Sequence, residues 1–547
     1  MAASAGDTQG PPPPPPPDTA PNVRGPRAWI TRLSPWGPPL KPGEFSKKRR
    51  RVPALAGVLA STTALLVALL MRFQGGGLFV PEAAVDFAVA RIPGSFESAA
   101  ISLMGGGAKA VALAVAIFGF LAAHAAFALY YPRFERFLGK RWMAIAAFSA
   151  APAMATLLVV LPLFGKGLAG SEDASGVAGA VLSAAASSAA FGVVLDAAQR
   201  EFARTHPEGI DLTRRTAIRA AAVILIAAAL GAVLLGGVVT RVGRLAFGST
   251  AELRANEVTP NGSFYRVSKN VTDPAVDPSS WRLEVTGLVD RPLSLTSNEL
   301  LGRSLREEVV TLECVSNEVG GNLIGNARWS GVPLSDLLGE AGVKPGASWA
   351  VFECADGYDV GVPLLRARGP GALLALYMNG ERLPREHGFP ARVLVPGLFG
   401  MMNAKWVRQV RLVDQAHAGY WQRKGWTNDG AIRLTAIIAV APTSAVKGRS
   451  VEIGGVAFAG ERRVARVEVS EDGGATWAPA DLEPPLSPYA WTLWTHNWTP
   501  ASEGIVRLEV RAVEESGASG IVQPRTRASP YPSGATGLDA VEVTVTA

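Results

Sequence analysis

The sequence predicts three parts: a transmembrane α-helical bundle, a mixed α+β domain and a C-terminal β-sandwich. Its 547 residues are too many for one domain. With 48% hydrophobic residues and a mean hydropathy of +0.20, the chain is too apolar for an ordinary soluble enzyme. Long uncharged stretches fill the part before Thr240, whereas alternating β-type runs dominate the part after it.

The chain opens with a segment that cannot form a core. Residues 1–51 begin with the proline run Pro11–Pro17 and end in the basic run Lys47–Arg51, which predicts a disordered cytoplasmic tail. The formal charge of +7 does not point to nucleic acid, because the basic residues gather beside apolar segments and no basic-aromatic recognition motif is present.

Five uncharged stretches then predict a transmembrane region over residues 52–240. Each stretch is about 20 residues long, the length that an α-helix needs to cross a hydrocarbon core of roughly 30 Å. A soluble helical bundle is the alternative, but five such runs without an acidic or basic residue are rare in soluble folds. The stretches are Val52–Met71, Ala110–Tyr131, Trp142–Gly165, Gly176–Leu195 and Ala220–Thr240.

The basic residues around these stretches predict the topology. Lys and Arg number nine before the first stretch, then three, four, one and five in the successive loops. This alternation follows the positive-inside rule with a cytoplasmic N-terminus, so five spans would place everything after Thr240 outside the cell membrane. Arg214 and Arg215 before the last stretch resemble a twin-arginine export signal, and they serve equally well as positive-inside anchors.

The remaining chain predicts two further domains. Runs such as Trp281–Val285, Glu308–Leu312 and Arg392–Val395, with a short helix at Leu334–Ala341, indicate a mixed α+β domain over residues 256–430. From residue 435 to 547, short strands separated by turn signals indicate a β-sandwich; they include Val464–Val469, Ile505–Val513 and Val541–Val545.

The small number of cysteines limits which metal sites this chain can form. Cys314 and Cys354 are the only two, and five histidines accompany them, which excludes zinc ribbons and cysteine-ligated iron-sulfur clusters built from this chain alone. Cys314 directly follows an apolar β-run, where a loop can present its thiol to a bound group. A buried structural cysteine or a disulfide with Cys354 are the alternatives.

Further segments in a fixed order make the pattern specific. Asn261–Arg266, the segment Thr311–Glu318 around Cys314, Met378–Arg392, and Val395–Gly400 followed by Ala404-Lys405-Trp406 together resemble the molybdopterin-binding core of the sulfite oxidase family. The resemblance runs from about Asn256 to the end of the chain. Its C-terminal part resembles the immunoglobulin-like dimerisation domain of that family, which implies a homodimer.

The resemblance implies a molybdenum-molybdopterin cofactor and names the residues that hold it. Cys314 would be the protein thiolate on molybdenum, a soft ligand suited to a metal that changes oxidation state. His387, Arg392 and Lys405 match cofactor-contacting positions, and Asn261, Tyr265 and Arg266 match the N-terminal contact segment. Asp356 and Tyr358 fall in a loop that approaches the site in relatives. For each charged residue, a solvated surface position is the alternative.

This chain lacks some arginines of the family, and their absence affects which substrate we expect. Relatives that oxidise sulfite carry arginines where this chain has Glu318-Val319 and Met401-Met402-Asn403. A dianion would therefore lose charge-assisted contacts worth about 1.5 to 3 kcal/mol each, so we predict that sulfite is a poor substrate. No b5-like haem domain is recognised, and His124 is the only histidine in any predicted span. We expect His124 to pack or hydrogen-bond within the bundle.

These observations predict an oxidoreductase that transfers an oxygen atom on a small molecule and exchanges two electrons with a separate carrier, which could be membrane-bound. A reductase acting on a sulfoxide or another oxygen-bearing substrate is a second possibility. A membrane-anchored binding protein that has lost the metal is the third, and the retention of Cys314, Arg392 and Lys405 argues against it.

Overall fold

The computed structural model describes residues 51–75, 77–104, 107–171, 176–205, 243–270, 273–516 and 520–547. The predicted tail before Arg51, the arginine pair at 214–215 and the fifth apolar stretch, Ala220–Thr240, lie outside the described residues.

Helices form the whole described N-terminal part. They are α1 (Arg51–Gly75), α2 (Val80–Arg91), α3 (Gly94–Met104), α4 (Gly107–Ala128), α5 (Tyr131–Leu138), α6 (Arg141–Ala155) and α7 (Gly176–Thr205). A π-helical segment, Thr156–Val160, follows Pro152 of α6 and continues into a last turn, Leu161–Leu163. Four helical segments of the described chain are long and apolar enough to cross a membrane: Ala54–Arg72, Ala108–Leu138, Arg141–Leu163 and Gly176–Phe202.

Small residues let these helices approach closely. Ala56, Ala60 and Ala64 of α1 are buried in the bundle. A Cβ atom added at Gly57 would stand 2.6 Å from the Cβ of Ala128, so that crossing requires glycine. Close backbone approach gains van der Waals contact, the main attraction available to helices in lipid.

A charged cluster ties α5, α6 and α7 together at one end of the bundle. The buried Asp196 carboxylate accepts hydrogen bonds from Tyr131 Oη (2.8 Å), Arg141 Nη2 (2.7 Å) and Arg200 Nε (3.0 Å). The two arginines keep part of their side chains exposed, which lowers the cost of burying the carboxylate.

Helices α2 and α3, which the hydropathy pattern did not predict, connect the bundle to the rest of the molecule. Lys424 Nζ donates to the carbonyl of Val89 (2.6 Å) and pairs with Glu97 (2.9 Å). At the start of α4, the Lys109 ammonium donates to the carbonyls of Ser268 and Asn270. Two lysines thus join the helical part to the segments around the cavity described below.

The domain that follows is built on two five-stranded sheets. The strands are β1 (Arg282–Gly287), β2 (Leu293–Thr296), β3 (Arg306–Glu313), β4 (Ile324–Pro333), β5 (Trp349–Cys354), β6 (Asp359–Pro363), β7 (Leu373–Met378), β8 (Glu381–Arg382), β9 (Arg392–Leu394) and β10 (Val407–Val413). One sheet has the order β2-β1-β10-β5-β6. The other has the order β3-β4-β7-β8, with β9 paired to β7.

Short helices complete this mixed α+β domain: α8 (Thr250–Ala255), α9 (Ser297–Leu301), α10 (Leu334–Ala341) and α11 (Leu364–Ala367). The predicted strands and the helix Leu334–Ala341 are present. The apolar face of α10 is buried because Leu334, Leu337, Leu338 and Ala341 follow helical spacing.

The C-terminal part is β-rich, as predicted. Its strands are β11 (Thr435–Val440), β12 (Ser444–Val446), β13 (Val451–Phe458), β14 (Val464–Ser470), β15 (Ala478–Pro479), β16 (Asp481–Leu482), β17 (Thr492–Trp498), β18 (Gly504–Glu514), β19 (Ile521–Val522) and β20 (Asp539–Thr546). They form two sheets, with the orders β11-β13-β17-β16 and β12-β20-β18-β14-β15, and β19 pairs with β18. The two sheets share a core that includes Trp494, Val467 and Val543.

Candidate active site

Cys314 directly follows β3 and lies at the wall of a cavity. Its backbone N–H donates to the carbonyl of Leu323 (2.9 Å), and its Sγ lies 3.1 Å from Ser316 Oγ. The Asn317 side chain fixes the turn beyond it, because it donates to Glu313 Oε1 (3.0 Å) and accepts from the Leu323 N–H (2.9 Å). Burial raises the pKa of the Cys314 thiol above its ordinary value.

The cavity gathers side chains from distant parts of the chain. One side is aromatic and apolar, and the rest carries thiol, hydroxyl, amide, imidazole, ammonium, guanidinium and carboxylate groups. The wall includes Tyr265, Ser268, Lys269, Cys314, Ser316, Asp356, Tyr358, Glu386, His387, Arg392, Met401, Asn403, Lys405, Trp406, Trp421 and Trp426.

Two cations on this wall have no carboxylate partner among the described residues. Arg392 Nη1 donates to the carbonyl of His387 (3.3 Å), while its buried Nε has no hydrogen-bond partner. Lys405 Nζ donates to the carbonyl of Glu386 (3.0 Å) and lies 4.3 Å from the centre of the Trp406 ring. Burial lowers the pKa of Arg392 to about 10 and that of Lys405 to about 8. An anion in the cavity would offset the free energy that burying these two positive charges costs.

Two neutral groups stand beside these cations. His387 Nε2 donates to the carbonyl of Asn261 (3.0 Å), which assigns the proton to Nε2 and leaves Nδ1 without one. Burial, aided by Arg392 and Lys405, lowers the pKa of His387 to about 4. The buried Tyr265 hydroxyl has no hydrogen-bond partner, so it can donate to or accept from a ligand.

Two of the predicted contact residues do not reach the wall. Arg266 forms an ion pair with Asp273. The Asn261 side chain accepts from Asn379 Nδ2 (2.8 Å) and donates to the carbonyl of Met378, while its own carbonyl orients His387. Both side chains lie outside the cavity wall in this structure, because they already bond to neighbouring polar groups.

Cys354 is in a different environment from Cys314. It ends β5, is fully buried in the core between the sheets and does not line the cavity. Both cysteines are free thiols, so the alternative of a disulfide between them is wrong.

The structure also corrects the positions that were expected to face a substrate. Met401 lines the cavity, whereas Met402 is buried behind it and receives a hydrogen bond at Sδ from Gln422 (3.2 Å). Val319 is half-buried outside the wall. The turn Gly400–Met402 is a 3₁₀ helix, in which successive side chains point in different directions, so only one methionine can face inward.

Sequence reasoning missed several wall residues. Lys269 Nζ donates to the carbonyl of Asp356 (2.8 Å) and to Asn270 Oδ1 (3.0 Å), and Trp421 and Trp426 form the aromatic side. These residues come from irregular segments without a periodic pattern. Asp356 and Tyr358, whose loop was expected to approach the site, are on the wall, and Tyr358 Oη donates to the carbonyl of Met401 (2.5 Å).

Comparison with known sequences agrees with this site. Residues 270–421 match the oxidoreductase molybdopterin binding domain, and residues 431–529 match the Mo-co oxidoreductase dimerisation domain. Sulfite oxidase of Gallus gallus is 35% identical over 320 residues, which are 49% of this chain and 69% of that protein. The chain belongs to the sulfite oxidase family. It is a molybdenum-dependent oxidoreductase.

The chain also matches other molybdenum-enzyme sequences and structures over different shares of their length. Mitochondrial sulfite oxidase of Rattus norvegicus is 34% identical over 48% of this chain, and the match spans 57% of the rat protein. An NADH nitrate reductase of Brassica napus is 28% identical over 44% of the chain and 33% of its own. The sulfane dehydrogenase SoxCD of Paracoccus pantotrophus superposes with a TM-score of 0.46, at 29% identity, over 52% of this chain and 81% of its own.

The cavity fits the molybdenum cofactor of the sulfite oxidase family. It offers one thiol for the metal, two buried cations for a phosphate and the unpartnered Tyr265 hydroxyl for a polar edge of the pterin. Among the described residues, no group of three or more His, Cys, Asp or Glu side chains could hold a metal ion by itself. A site with one protein ligand suits a metal that arrives with ligands of its own.

Proposed function

We propose that this protein is a membrane-anchored enzyme that transfers an oxygen atom on a small molecule other than sulfite and exchanges two electrons with a separate carrier. The observation that carries the proposal is a buried, free thiol, Cys314, at the wall of a cavity that also holds two cations without carboxylate partners among the described residues. A binding protein without a metal would gain nothing from these buried charges, which cost free energy unless an anion compensates them.

Each protein group has a distinct role in this proposal. Cys314 would bind molybdenum, and the bound cofactor would supply the two-electron oxygen transfer. Arg392 and Lys405 would bind the cofactor's phosphate, and Tyr265 would hydrogen-bond its pterin. His387, kept neutral by burial, would offer its free Nδ1 as an acceptor. Asn261 would orient His387, and Arg266 would support the segment from behind.

The charge of the wall supports a substrate other than sulfite. The described wall has three cations: Lys269, Arg392 and Lys405. Lys269 is occupied by Asp356 and Asn270, and the other two are assigned to the cofactor. No wall cation then remains for a dianion. Met401, Trp421 and Trp426 offer an apolar surface instead, which also favours the second candidate function, reduction of a sulfoxide-type substrate by a membrane redox partner.

The arrangement in the membrane is part of the proposal. Four apolar helices indicate membrane association. We propose five spans over residues 52–240, with residues 1–51 as a cytoplasmic tail and residues 256–430 and 435–547 outside the cell membrane. The C-terminal domain would be immunoglobulin-like and would form a homodimer, which the match to the dimerisation domain supports.

A pair of cysteine variants tests the assignment of the metal. Cys314→Ser should bind no molybdenum and should lose activity while the protein stays folded, because the soft ligand is removed without a change in volume. Cys354→Ser is the matched control and should keep its molybdenum, because that side chain lies in the core away from the cavity. Metal analysis of both purified proteins decides the question. Loss of metal only in the Cys354 variant would reverse the assignment.

A further inference from the structure

Helix α5 lies at the end of the bundle that faces away from the catalytic domain. At its start, α4 bonds to that domain through Lys109, which donates to the carbonyls of Ser268 and Asn270. The 22 residues of α4 then extend for about 33 Å, close to the thickness of a hydrocarbon core. Helix α5 follows after two residues, Leu129 and Tyr130, so it lies at the opposite boundary of the proposed membrane span.

One face of α5 packs against the bundle. Tyr131, Glu135 and Leu138 are spaced four and three residues apart, which puts them on the same side of a helix. Tyr131 is buried and donates to Asp196 of α7, and Glu135 pairs with Arg200 of the same helix. These contacts determine which face of α5 points away from the bundle.

The exposed face of α5 carries two arginines and a phenylalanine. Arg133 and Arg136 are exposed, and Phe137, one turn after Arg133, keeps 85% of its surface accessible. Lys140 is exposed just beyond the end of the helix. A large apolar side chain among cations is typical of a helix that lies in the interface between lipid and water.

The three cations of this face have no carboxylate partner among the residues that the structure describes. Arg136 Nε donates to the carbonyl of Pro132 (3.0 Å), and the guanidinium of Arg133 lies 5.9 Å from the centre of the Tyr130 ring. Neither contact neutralises a charge, and Lys140 has no ion pair within the described chain. The face therefore carries net positive charge, in contrast to the paired arginines around Asp196.

Aromatic side chains extend this surface at the same end of the bundle. Tyr130 precedes α5 with 51% of its surface exposed, and Trp142, the second residue of α6, is 65% exposed. Tyrosine and tryptophan are enriched where a membrane meets water, because their rings are apolar and carry one polar group. Phe134 packs against Phe148 of α6, with 5.7 Å between the ring centres.

We infer that the exposed face of α5 binds the headgroups of anionic phospholipids in the cytoplasmic leaflet. The guanidinium groups of Arg133 and Arg136 would bind the lipid phosphate, and Lys140 would add electrostatic attraction. Phe137 would insert between the headgroups and the acyl chains. The inference rests on the proposed arrangement in the membrane, which places α5 at a lipid surface.

The composition of the face favours a lipid over a soluble anion. Two arginines alone would suit either ligand, since both carry phosphate oxygens. A soluble anion, however, would leave Phe137 and Trp142 in water. A lipid offers negative charge and apolar surface side by side, which matches the arrangement of the cations and the rings on this face.

Binding can be measured on the full chain without enzymatic activity. The protein is reconstituted in phosphatidylcholine nanodiscs that contain a small share of phosphatidylglycerol with a photoreactive headgroup, and labelled peptides are mapped by mass spectrometry. We expect label between Arg133 and Trp142, with competition by unlabelled phosphatidylglycerol but not by further phosphatidylcholine. Label spread evenly over all lipid-facing helices, or concentrated at the other end of the bundle, would overturn the inference.

Variants identify the side chains that bind. Arg133→Gln and Arg136→Gln should each weaken the binding of phosphatidylglycerol about fivefold, and the double variant about twentyfold or more, the effect of single basic residues at a charged membrane surface. Arg91→Gln is the matched control. Arg91 is also exposed, lies over the Phe87 ring and donates to the Phe87 carbonyl, but it belongs to α2, beside the catalytic domain. Unchanged binding in the double variant would refute the site.

Two further samples distinguish a lipid from a free anion. Phe137→Ser should also weaken the binding of phosphatidylglycerol, because the apolar contact is lost while both arginines remain. Inorganic phosphate, added to the wild type at constant ionic strength, should not displace the labelled lipid. Displacement by phosphate together with unchanged binding in Phe137→Ser would show a site for a free anion and would overturn the assignment to lipid.

Reconstitution itself separates the possible failures. A chain that does not enter nanodiscs would refute the proposed anchoring in the membrane, and the inference with it. A chain that enters them but shows no preference for phosphatidylglycerol would refute the inference alone and would favour an acidic protein as the partner of this face. Thermal unfolding confirms that the variants are folded, and exposed positions such as Arg133 and Arg136 should leave the melting temperature unchanged.

Discussion

At the scale of single residues, burial keeps His387 in the active site neutral over a wider pH range than an exposed histidine. His387 is neutral because its ring is buried and two cations stand nearby. The hydrogen bond to Asn261 fixes the proton on Nε2, so one acceptor atom, Nδ1, remains for a ligand. The cavity wall therefore offers a ligand one hydrogen-bond acceptor, Nδ1 of His387, and two donors, Arg392 and Lys405. This set suits the polar edge of a ligand that carries both donors and acceptors.

This neutral histidine predicts a pH dependence of stability. The pKa of His387 is about 4 in the folded protein and about 6.5 unfolded, so only the unfolded chain binds the proton between those values. Stability is therefore lost as the pH falls from 6.5 towards 4. From pH 7 to pH 5, the cofactor-free wild type should lose about 2 kcal/mol more unfolding free energy than His387→Gln, as measured by denaturant titration. Equal losses would show that His387 is protonated when folded.

The substrate preference is a second prediction at this scale. With Lys269, Arg392 and Lys405 all engaged, sulfite would lack the contacts with cations that are worth about 1.5 to 3 kcal/mol each. We expect kcat/KM for sulfite to lie about tenfold to a hundredfold below that of arginine-bearing relatives, as measured with an artificial electron acceptor on molybdenum-loaded protein. Turnover as efficient as theirs would show that one wall cation is available to the substrate.

The residues of the wall also show how far sequence reasoning reaches. Tyr265, Cys314, His387, Arg392 and Lys405 were predicted because each lies in a motif whose order along the chain is recognisable. Lys269, Trp421 and Trp426 could not be predicted, because irregular segments reach the cavity only through tertiary packing. Asn261 and Arg266 were predicted to contact the cofactor, and their side chains bond to neighbouring residues in the structure. The sequence does not show which polar neighbours these side chains have.

At the scale of elements, the charged cluster around Asp196 holds α5, α6 and α7 in register. Asp196 is the buried member, and its three partners come from two other helices and from its own. A carboxylate inside an apolar bundle is stabilising only while its partners remain, so the cluster makes the packing of these helices specific.

Removing this charge should loosen the bundle. Asp196→Asn leaves Arg141 and Arg200 without their shared carboxylate and should lower the free energy of unfolding of the bundle by about 1 to 3 kcal/mol, as measured by unfolding in mixed micelles. Glu201→Gln is the control, because Glu201 pairs with Arg204 at the exposed surface and should change stability by less than about 1 kcal/mol. Similar effects of the two substitutions would show that the cluster has no special role.

The sequence predicts some helices of the bundle and misses others. The apolar helices α1, α4, α6 and α7 were predicted because composition and length alone identify a span. Helices α2 and α3 were missed because Glu82, Asp86 and Glu97 interrupt their apolar runs. The basic partners of these carboxylates lie outside the two helices, at Arg72, Lys166 and Lys424.

At the scale of the whole molecule, the helical part and the soluble part are held together at two places by lysines that donate to backbone carbonyls. Lys109 reaches the segment around Ser268, and Lys424 reaches α2. A displacement of one part against the other would break both contacts, so these contacts favour one position of the catalytic cavity relative to the bundle.

The proposed topology is tested on the intact cell. Protease added to spheroplasts should degrade the domains after Thr240 and should spare the tail before Arg51, because the basic loops place that tail in the cytoplasm. Immunoblots with antibodies against each end give the result, and a cytoplasmic marker protein reports lysis. A C-terminal domain that survives in unlysed spheroplasts would refute both the topology and the export of the domain.

The close contact at Gly94 has a consequence for how the enzyme meets its redox partner. A Cβ atom there would stand 2.7 Å from the carbonyl oxygen of Lys424 and 2.9 Å from Trp426 Nε1, so α3 lies directly against the aromatic side of the active site. In the proposed topology, this contact would hold the aromatic side of the catalytic cavity close to the lipid surface. A carrier confined to the bilayer would find it by lateral diffusion in two dimensions, and its encounter rate would follow its surface density rather than its concentration in water.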